Sequence, residues 1–269
     1  MGLSRKDKKK DKDERKMYEK AIVRKPGKTI VDGISSNDLG KPIYKKALKQ
    51  HRNYVEALER CGVEVIVLEA DVRFPDSTFV EDTAIVTEKC TIIAQPGVES
   101  RSGEEIKIKR RLEEFYDRIE IVESPSTIEG GDVLRVCDHF YIGLSTRTNK
   151  EGAKQLINIL EKYDYTGSTV PLKKALHLKS GIAYLGDNNL LAAGEFIDNP
   201  IFNNFNIIKV DNDERYASNC IRVNDYVLVA EGYQKTIKAI ERAGYKTIRV
   251  DVSEFRKLDG GLSCLSLRF

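Results

Sequence analysis

The sequence has no apolar segment long enough to cross a membrane, since no run approaches the roughly 18 residues that a spanning helix needs. Its first residues, MGLSRKDKKKDKDERK, also lack the apolar stretch of a secretory signal. Both absences predict a cytoplasmic protein with no membrane partner. The 269 residues, of which 41% are hydrophobic and 32% are charged, suit a soluble globular protein and exclude a wholly disordered one.

The body of the chain has almost no excess of either charge. The formal net charge is +3, but residues 1–20 hold nine basic and five acidic residues, so the remaining 249 residues sum to −1. Binding of nucleic acid by the body is therefore disfavoured. Residues 1–17 are predicted to form a basic, disordered tail. Contact of this tail with nucleic acid or another acidic partner is the alternative.

Disulfide and zinc-binding patterns are absent as well. The five cysteines are widely spaced and no C-x-x-C or H-x-x-x-H pair occurs, which argues against a disulfide framework and a structural zinc site. The glycine-rich segments EGGD and DGGL lack the residues of a phosphate loop and the spacing of a dinucleotide fingerprint. Only three histidines occur, so histidine-dependent chemistry must use His51, His139 or His177.

Amphipathic helices alternate with apolar strands along the rest of the chain. Apolar residues recur at helical spacing in four segments, 42–61, 104–116, 153–160 and 237–243. Strands are predicted at 63–68, 119–122 and 247–250. Gly62 and Gly244 are the predicted stops of the first and last helices. The alternation places the chain in the α/β class.

A second element recurs between the helices, a short polar or glycine-bearing turn that runs into an apolar strand. With Asp82, Asp132, Gly181, Cys220 and Cys264 as markers, its five copies are separated by 50, 49, 39 and 44 residues. A period of roughly 20–50 residues is typical of repeat architectures. A closed five-fold ring of strand–strand–helix–strand units would bring the polar turns together near one axis. An ordinary layered α/β domain is the alternative.

Cys264 and His177 are the candidate reactive pair. Cys264 follows two glycines, which allow a substrate to approach the backbone closely, so its thiol could act as a nucleophile. A buried, inert cysteine is the alternative. His177 lies between two leucines at the entrance to a polar turn, where imidazole could activate a thiol or protonate a leaving amine. A half-buried histidine bonded to a backbone carbonyl is the alternative.

Acidic residues cluster directly before two of the apolar strands. Asp76, Glu81 and Asp82 precede one strand, and Glu129 and Asp132 bracket two glycines before another. Carboxylates in such places are costly unless they meet cations or hydrogen-bond donors, and they bind a guanidinium through two parallel bonds. The clusters therefore predict a pocket for a planar, cationic group, with ordinary turn chemistry as the alternative.

Two arginines lie in loops among small residues, Arg101 in GVESRSGE and Arg147 in GLSTRTN. Arginine binds carboxylates well because its guanidinium presents a rigid fork of donors. Either residue could therefore clamp a carboxylate of a ligand. An ordinary surface arginine is the alternative for each of them.

The segments FPDSTFVED, EGGD, GLSTRTN, LHLKSG and DGGLSCLSLRF, in this order, resemble the dimethylarginine dimethylaminohydrolase family, in particular its bacterial members. IVDG, LGKPIY, NNLLAAGEF and NCIRVN extend the match over about residues 18–269. Several ordered motifs are more specific than any one of them. The resemblance implies a pentein fold, an α/β propeller in which five ββαβ-type units form a pseudo-symmetric ring. It implies one catalytic domain over 18–269, and a homodimer.

The resemblance also assigns roles to individual residues. Cys264 is the implied nucleophile, His177 the general acid/base, and Glu129 the acid that completes the catalytic group. The implied substrate contacts are Asp82 on the guanidinium with Asp76 and Glu81 as polar neighbours, Arg101 and Arg147 on the amino-acid end, Ile34 in a loop closing over the substrate, and Leu258 through its backbone.

The implied reaction is hydrolysis of Nω-methylated arginine to citrulline and dimethylamine or methylamine. It proceeds through a covalent thiouronium-type intermediate on Cys264, and no metal or organic cofactor is expected. A related enzyme acting on free arginine or another guanidino compound is the first alternative. A non-catalytic pentein binding module is the second, although the presence of Cys264, His177 and Glu129 together argues against it.

Overall fold

The computed structural model describes residues 18–269, and the predicted basic tail, residues 1–17, lies outside the described residues. Within this range the β-strands form five sheets of three strands each. The strands are β1 (Lys20–Arg24), β2 (Glu64–Leu68), β3 (Ala84–Val86), β4 (Thr91–Ile93), β5 (Ile119–Ile121), β6 (Val133–Val136), β7 (His139–Leu144), β8 (Thr166–Pro171), β9 (Ile182–Gly186), β10 (Asn189–Ala192), β11 (Asn206–Lys209), β12 (Ile221–Val223), β13 (Tyr226–Ala230), β14 (Lys246–Val250) and β15 (Leu267–Arg268).

All five sheets share one strand order, in which the middle strand has an antiparallel neighbour on one side and a parallel neighbour on the other. The orders are β3-β4-β5, β6-β7-β8, β9-β10-β11, β12-β13-β14 and β15-β1-β2. The last sheet combines both ends of the described chain, because Leu267 of β15 pairs with Ile22 of β1. The predicted five-fold repeat is therefore confirmed.

Four of the five parallel connections contain an α-helix, as a parallel crossover requires a long link. These four helices are α1 (Tyr44–Arg60), α2 (Glu104–Leu112), α3 (Lys150–Glu161) and α4 (Gln234–Arg242). A fifth, single-turn helix, α5 (Ser253–Arg256), follows β14. In the third unit, β9-β10-β11, 3₁₀ turns at Gly194–Phe196 and Pro200–Phe202 replace the helix, because proline and asparagine interrupt helical hydrogen bonding there. This short link explains the 39-residue spacing. No helix within residues 18–269 is long and apolar enough to cross a membrane.

Helices α1 and α4 pack one apolar face inward and end where the sequence predicts. Helix α1 buries Ala47, Tyr54 and Leu58, which recur at helical spacing. After it, Gly62 takes a φ of +83°, and after α4, Gly244 takes a φ of +94°. L side chains rarely adopt this left-handed conformation, so glycine stops both helices.

Helix α2 is shorter than its apolar pattern predicts. It ends at Leu112, and the chain then turns, so that Phe115 and Tyr116 leave the helix. Their rings pack against Phe269, with ring centroids 5.3 and 5.6 Å apart. The apolar residues that suggested a longer helix therefore serve tertiary packing near the C-terminal strand.

A 3₁₀ turn precedes the first strand of each of the five sheets. These turns are Val80–Thr83, Gly130–Asp132, Leu178–Ser180, Asn212–Ser218 and Ser263–Leu265. Hydrogen bonds join neighbours around the ring: Gly131 N to Asp82 Oδ1 (3.0 Å), Leu178 N to Asp132 Oδ1 (2.9 Å), Ser218 Oγ to Ser180 O (3.2 Å), Ser263 N to Asn219 Oδ1 (2.9 Å) and Arg268 Nη2 to Glu81 Oε1 (3.1 Å). The polar turns thus meet at one end of the ring, as predicted.

Candidate active site

Cys264 lies in the fifth of these turns, and its side chain is buried. The two glycines before it make room for protein groups. A Cβ at Gly260 would lie 2.2 Å from the ring of Phe79, and one at Gly261 would lie 2.4 Å from Cγ of Asn219. Close approach of these two side chains therefore requires the glycines, whereas the sequence suggested close approach of a substrate.

The thiol of Cys264 is held in its neutral form by its surroundings. Burial raises the pKa of this thiol, and the charges of Asp82 and Glu81 raise it further, to about 12. The N–H of Gly261, 3.4 Å from Sγ, acts in the opposite direction. A ligand cation placed against these carboxylates would offset their charge and favour the reactive thiolate.

His177 and Glu129 form a buried hydrogen-bonded pair on adjoining turns. The distance from His177 Nε2 to Glu129 Oε2 is 2.7 Å. Burial lowers the pKa of His177, but the charges of Asp82, Glu129 and Asp132 outweigh burial and raise it to about 9. Burial likewise raises the pKa of Glu129, yet the bond from His177 and the charge of Arg101 lower it to about 2. At neutral pH the pair is imidazolium and carboxylate, so His177 can donate a proton.

Asp82 binds a guanidinium in this structure, and that guanidinium belongs to Arg101. Asp82 Oδ2 accepts a hydrogen bond from Arg101 Nη1 at 2.7 Å, while Oδ1 accepts the N–H of Gly131 at 3.0 Å. Arg101 also donates through Nε and Nη2 to Glu104 Oε2, at 3.1 and 2.8 Å. Asp82 thus meets a guanidinium through one hydrogen bond and not through two parallel ones, and its binding of a substrate guanidinium stays a prediction.

The two predicted arginines occupy different settings. Arg101 is enclosed between Asp82 and Glu104, with its side chain 6% exposed. Arg147 is more accessible, at 13%, and its Nη1 lies 3.6 Å from Glu129 Oε1. Arg147 therefore has more freedom to reach a carboxylate of a ligand.

Glu81 forms two buried ion pairs. Its Oε1 accepts from Lys179 Nζ at 2.7 Å and from Arg268 Nη2 at 3.1 Å. Its Oε2 is buried and has no hydrogen-bond partner within residues 18–269. A cavity of about 150 Å³ is lined by Glu81, Lys179 and Arg268 but not by Cys264 or His177.

The loop that carries Ile34 lies against two predicted substrate contacts. The N–H of Ile34 donates to both oxygens of Asp76, at 3.1 and 3.2 Å. Burial raises the pKa of Asp76. Ser35 Oγ donates to the carbonyl of Lys257 at 2.7 Å, next to the buried Leu258. The structure thus brings Ile34, Asp76 and Leu258 together on one side of the site.

Asp82, Glu129 and His177 offer ligand atoms within 4.8 Å of one another, which is close enough to share a metal ion. Each carboxylate already faces a protein cation, however. Arg101 Nη1 is 2.7 Å from Asp82 and 3.9 Å from Glu129, and His177 is bonded to Glu129. The donor set therefore fits a hydrogen-bonded charge cluster, and the expected absence of a metal stays a prediction.

Four residues of the site had no predicted role, although each lies in a recognised segment. They are Glu104 in GVESRSGE, Lys179 in LHLKSG, Asn219 in NCIRVN and Arg268 in SLRF. Their partners are Arg101, Glu81, Ser263 and Glu81. The polar side chains of these four residues indicate buried polar contacts, but only the folded ring shows which residue each of them contacts.

A five-fold ring of small α/β units, with a buried cysteine, a His–Glu pair and carboxylates at one end of its axis, defines a pentein of the class that modifies guanidino groups. The family model described as "N,N dimethylarginine dimethylhydrolase, eukaryotic" matches residues 34–266. The chain belongs to this family, which confirms the resemblance seen in the motifs.

Similar proteins include bacterial members of the family. The N(G),N(G)-dimethylarginine dimethylaminohydrolase of Pseudomonas aeruginosa is 53% identical over 254 residues, covering 94% of this chain and 100% of the relative. That of Streptomyces coelicolor is 33% identical over 251 residues, covering 93% and 96%. Both relatives match nearly end to end, so the similarity extends beyond the motifs.

Solved structures show the same fold. A cysteine-to-serine variant of the P. aeruginosa enzyme, complexed with citrulline, has a TM-score of 0.94 at 52% identity, covering 94% of this chain and 100% of that chain. The N-terminal domain of a cyanobacterial arginine dihydrolase has a TM-score of 0.84 at 20% identity, covering 93% and 97%. The second likeness shows the fold alone.

Proposed function

We propose that the protein hydrolyses Nω-methylated arginine to citrulline and dimethylamine or methylamine. The observation that carries this proposal is the meeting of Cys264, the His177–Glu129 pair and Asp82 on adjoining turns, in a chain of this family. The names of the two bacterial relatives support the activity. The citrulline in a relative's structure supports the product.

Binding in this proposal begins with the guanidinium of the substrate. Asp82 accepts its N–H groups and places its carbon against the sulfur of Cys264, which supplies the orientation that a poor electrophile needs. Competition between the substrate and Arg101 for Asp82 follows from the bond between them. The remaining proposed contacts are Asp76 and Glu81 beside the guanidinium, Arg147 and Arg101 on the amino-acid end, Ile34 from the loop, and the backbone of Leu258.

The first half of the reaction forms a bond to sulfur. The substrate cation favours loss of the thiol proton to solvent, and the thiolate of Cys264 adds to the guanidinium carbon. His177 then gives its proton to the methylated nitrogen of the tetrahedral adduct. The C–N bond breaks, a neutral methylamine leaves, and a thiouronium-type intermediate remains on Cys264.

The second half consumes one water molecule. His177, now neutral, takes a proton from water, and the resulting hydroxide adds to the thiouronium carbon. The C–S bond then breaks as the hydroxyl proton of the adduct is lost to solvent, so Cys264 leaves as thiolate and neutral citrulline forms. Glu129 holds the imidazole in place in both halves and restores its affinity for the proton.

Citrulline formation by the purified protein, with asymmetric dimethylarginine and free arginine supplied separately, tests the proposal. We expect citrulline from dimethylarginine at a rate at least about 100-fold above that from arginine, a difference of about 2.7 kcal/mol in barrier. Citrulline mainly from arginine would move the substrate to the first alternative. No citrulline from either compound would contradict the proposed function.

Arg147→Ala is expected to weaken substrate binding. A charge-assisted hydrogen bond contributes about 1.5–3 kcal/mol, so KM for dimethylarginine should rise roughly 10- to 100-fold while kcat changes by less than about three-fold. Steady-state kinetics measure both constants. Arg110→Ala removes an exposed arginine of α2 and serves as the control. A variant at Arg147 with the wild-type KM would contradict contact with the amino-acid end.

The family resemblance supports three further proposals. The protein forms a homodimer, acts in the cytoplasm, and uses residues 18–269 as one catalytic unit. The relatives support a small-molecule guanidino ligand as the partner. One relative's structure holds citrulline, and another structure holds an adduct with S-methyl-L-thiocitrulline. A light-scattering mass of one chain at working concentration would contradict the homodimer.

A further inference from the structure

The side-chain amide of Asn219 joins the fourth and fifth units at the proposed nucleophile. Asn219 is 7% exposed and follows the turn Asn212–Ser218. Its Oδ1 accepts the N–H of Ser263 at 2.9 Å, and its Nδ2 donates to Ser263 Oγ at 3.2 Å. Nδ2 also lies 4.0 Å from the sulfur of Cys264. One amide therefore contacts both the turn and the sulfur that it presents.

The orientation of this amide is fixed. The backbone N–H of Ser263 can act only as a donor, so the atom that faces it must be the oxygen of Asn219, and the nitrogen must lie on the side of Cys264. Gly261 leaves room for the amide in this position, because a Cβ there would lie 2.4 Å from Cγ of Asn219. The close contact explains why the second position of the glycine pair has no side chain.

The groups around the sulfur of Cys264 have opposing effects on its ionisation. Glu81 and Asp82, from the turn Val80–Thr83, disfavour negative charge on it, and Tyr216 adds a buried phenol nearby. Two N–H groups face it, from Gly261 at 3.4 Å and from Asn219 at 4.0 Å, together with Ser263 Oγ at 3.9 Å. These groups can stabilise negative charge on sulfur.

We propose that Asn219 is a positioning residue, which fixes the turn of the nucleophile and directs an N–H toward the sulfur of Cys264. The inference rests on the proposed role of Cys264 and adds a residue to the machinery of the same reaction. Sulfur becomes negative before it attacks carbon and again when the C–S bond breaks. A preoriented donor at this point assists both steps, because it strengthens as charge develops on sulfur.

Asn219→Asp separates the two contacts of the amide. A carboxylate oxygen still accepts the N–H of Ser263, but the N–H toward Cys264 is replaced by an acceptor. We expect kcat for dimethylarginine to fall about 10- to 100-fold with KM within about three-fold. We also expect the pKa of the thiol to rise by at least about one unit, which slows alkylation at pH 8 about ten-fold or more.

Alkylation by iodoacetamide across a pH series gives the second readout. Cys264 is the only cysteine in the tryptic peptide 258–268, so mass spectrometry follows it separately from the exposed Cys137. The matched control is Asn224→Asp, in the same NCIRVN segment. Its amide is also buried but bonds Tyr18 and Cys61, away from the thiol. This control should keep the wild-type alkylation profile even if it lowers the melting temperature.

A folded Asn219→Asp variant with wild-type kcat and a wild-type alkylation profile would overturn the proposal. If that variant does not fold, Asn219→Ser provides the measurement, since it removes the amide without adding charge. The Asn219→Ser variant should also slow alkylation and lower kcat, and unchanged values would overturn the inference. Alkylation requires no substrate, so the wild-type citrulline assay judges the proposed function and the alkylation profile judges Asn219 independently.

Discussion

Cys264→Ser is expected to reduce citrulline formation from dimethylarginine by at least about 10⁴-fold, as removal of an enzyme nucleophile commonly does. A serine hydroxyl gives up its proton far less readily than a thiol. The surroundings of residue 264 make loss of the serine proton still harder, because burial and the charges of Asp82 and Glu81 disfavour a negative atom at this position. Binding of the substrate should persist, since the carboxylates are unchanged. Equilibrium binding and a sensitive citrulline assay measure the two properties.

Acid quenching of the wild-type reaction should also trap the thiouronium-type adduct on the tryptic peptide 258–268, which mass spectrometry detects. Cys137→Ser, at an exposed cysteine outside the site, is the control for general effects of thiol loss and should turn over normally. If Cys264→Ser formed citrulline within ten-fold of the wild-type rate, the nucleophile would have to be another group.

Asp82→Asn is expected to lower kcat/KM for dimethylarginine by about 10³-fold, because it removes both a charged partner of the guanidinium and its orientation. The same change should increase the reactivity of the Cys264 thiol in the enzyme without substrate. The charge of Asp82 raises the pKa of Cys264 and that of His177. Without it, both pKa values fall, so more thiolate exists at pH 8 and alkylation of Cys264 accelerates.

The direction of this effect distinguishes Asp82 from Asn219, whose replacement by aspartate should slow alkylation. Because the pKa of His177 falls, this residue should lose its proton at a lower pH. The alkaline limb of the plot of kcat against pH should therefore shift to lower pH. Asp71→Asn is the matched control, since Asp71 is a buried carboxylate that pairs with Arg73 and Lys107 instead. Unchanged kcat/KM, or slower alkylation, in Asp82→Asn would contradict the assigned role.

The repeat could be predicted because each unit carries its own local signals. Apolar periodicity located the four long helices, and Gly62 and Gly244 marked two of their ends through a backbone conformation that glycine favours. The polar turns before apolar strands revealed the five-fold pattern. The closing pair of β1 and β15 joins opposite ends of the described chain, and no local pattern encodes such a pairing.

The chemistry of the candidate site was readable as a set of residue types in ordered motifs. Cys264, His177 and Glu129 were predicted in this way; the structure bonds His177 to Glu129 and places Cys264 in another turn of the same ring. The glycine pair was interpreted less well, because its function depends on the side chains that approach it from other units. The sequence likewise gave no reason to expect that Arg101 would lie on Asp82.

By itself the sequence determined the α/β class, the repeat and the family, and it supplied the candidate reactive side chains, because these follow from periodicity, residue chemistry and short motifs in a fixed order. The tertiary structure decided which buried polar groups became partners, including Asn219 with Ser263 and Glu81 with Lys179. A buried charge or amide must find a partner, but the nearest one in space lies on another unit of the ring. The pKa values that set the protonation of Cys264 and His177 depend on those partners, and therefore on the closed ring.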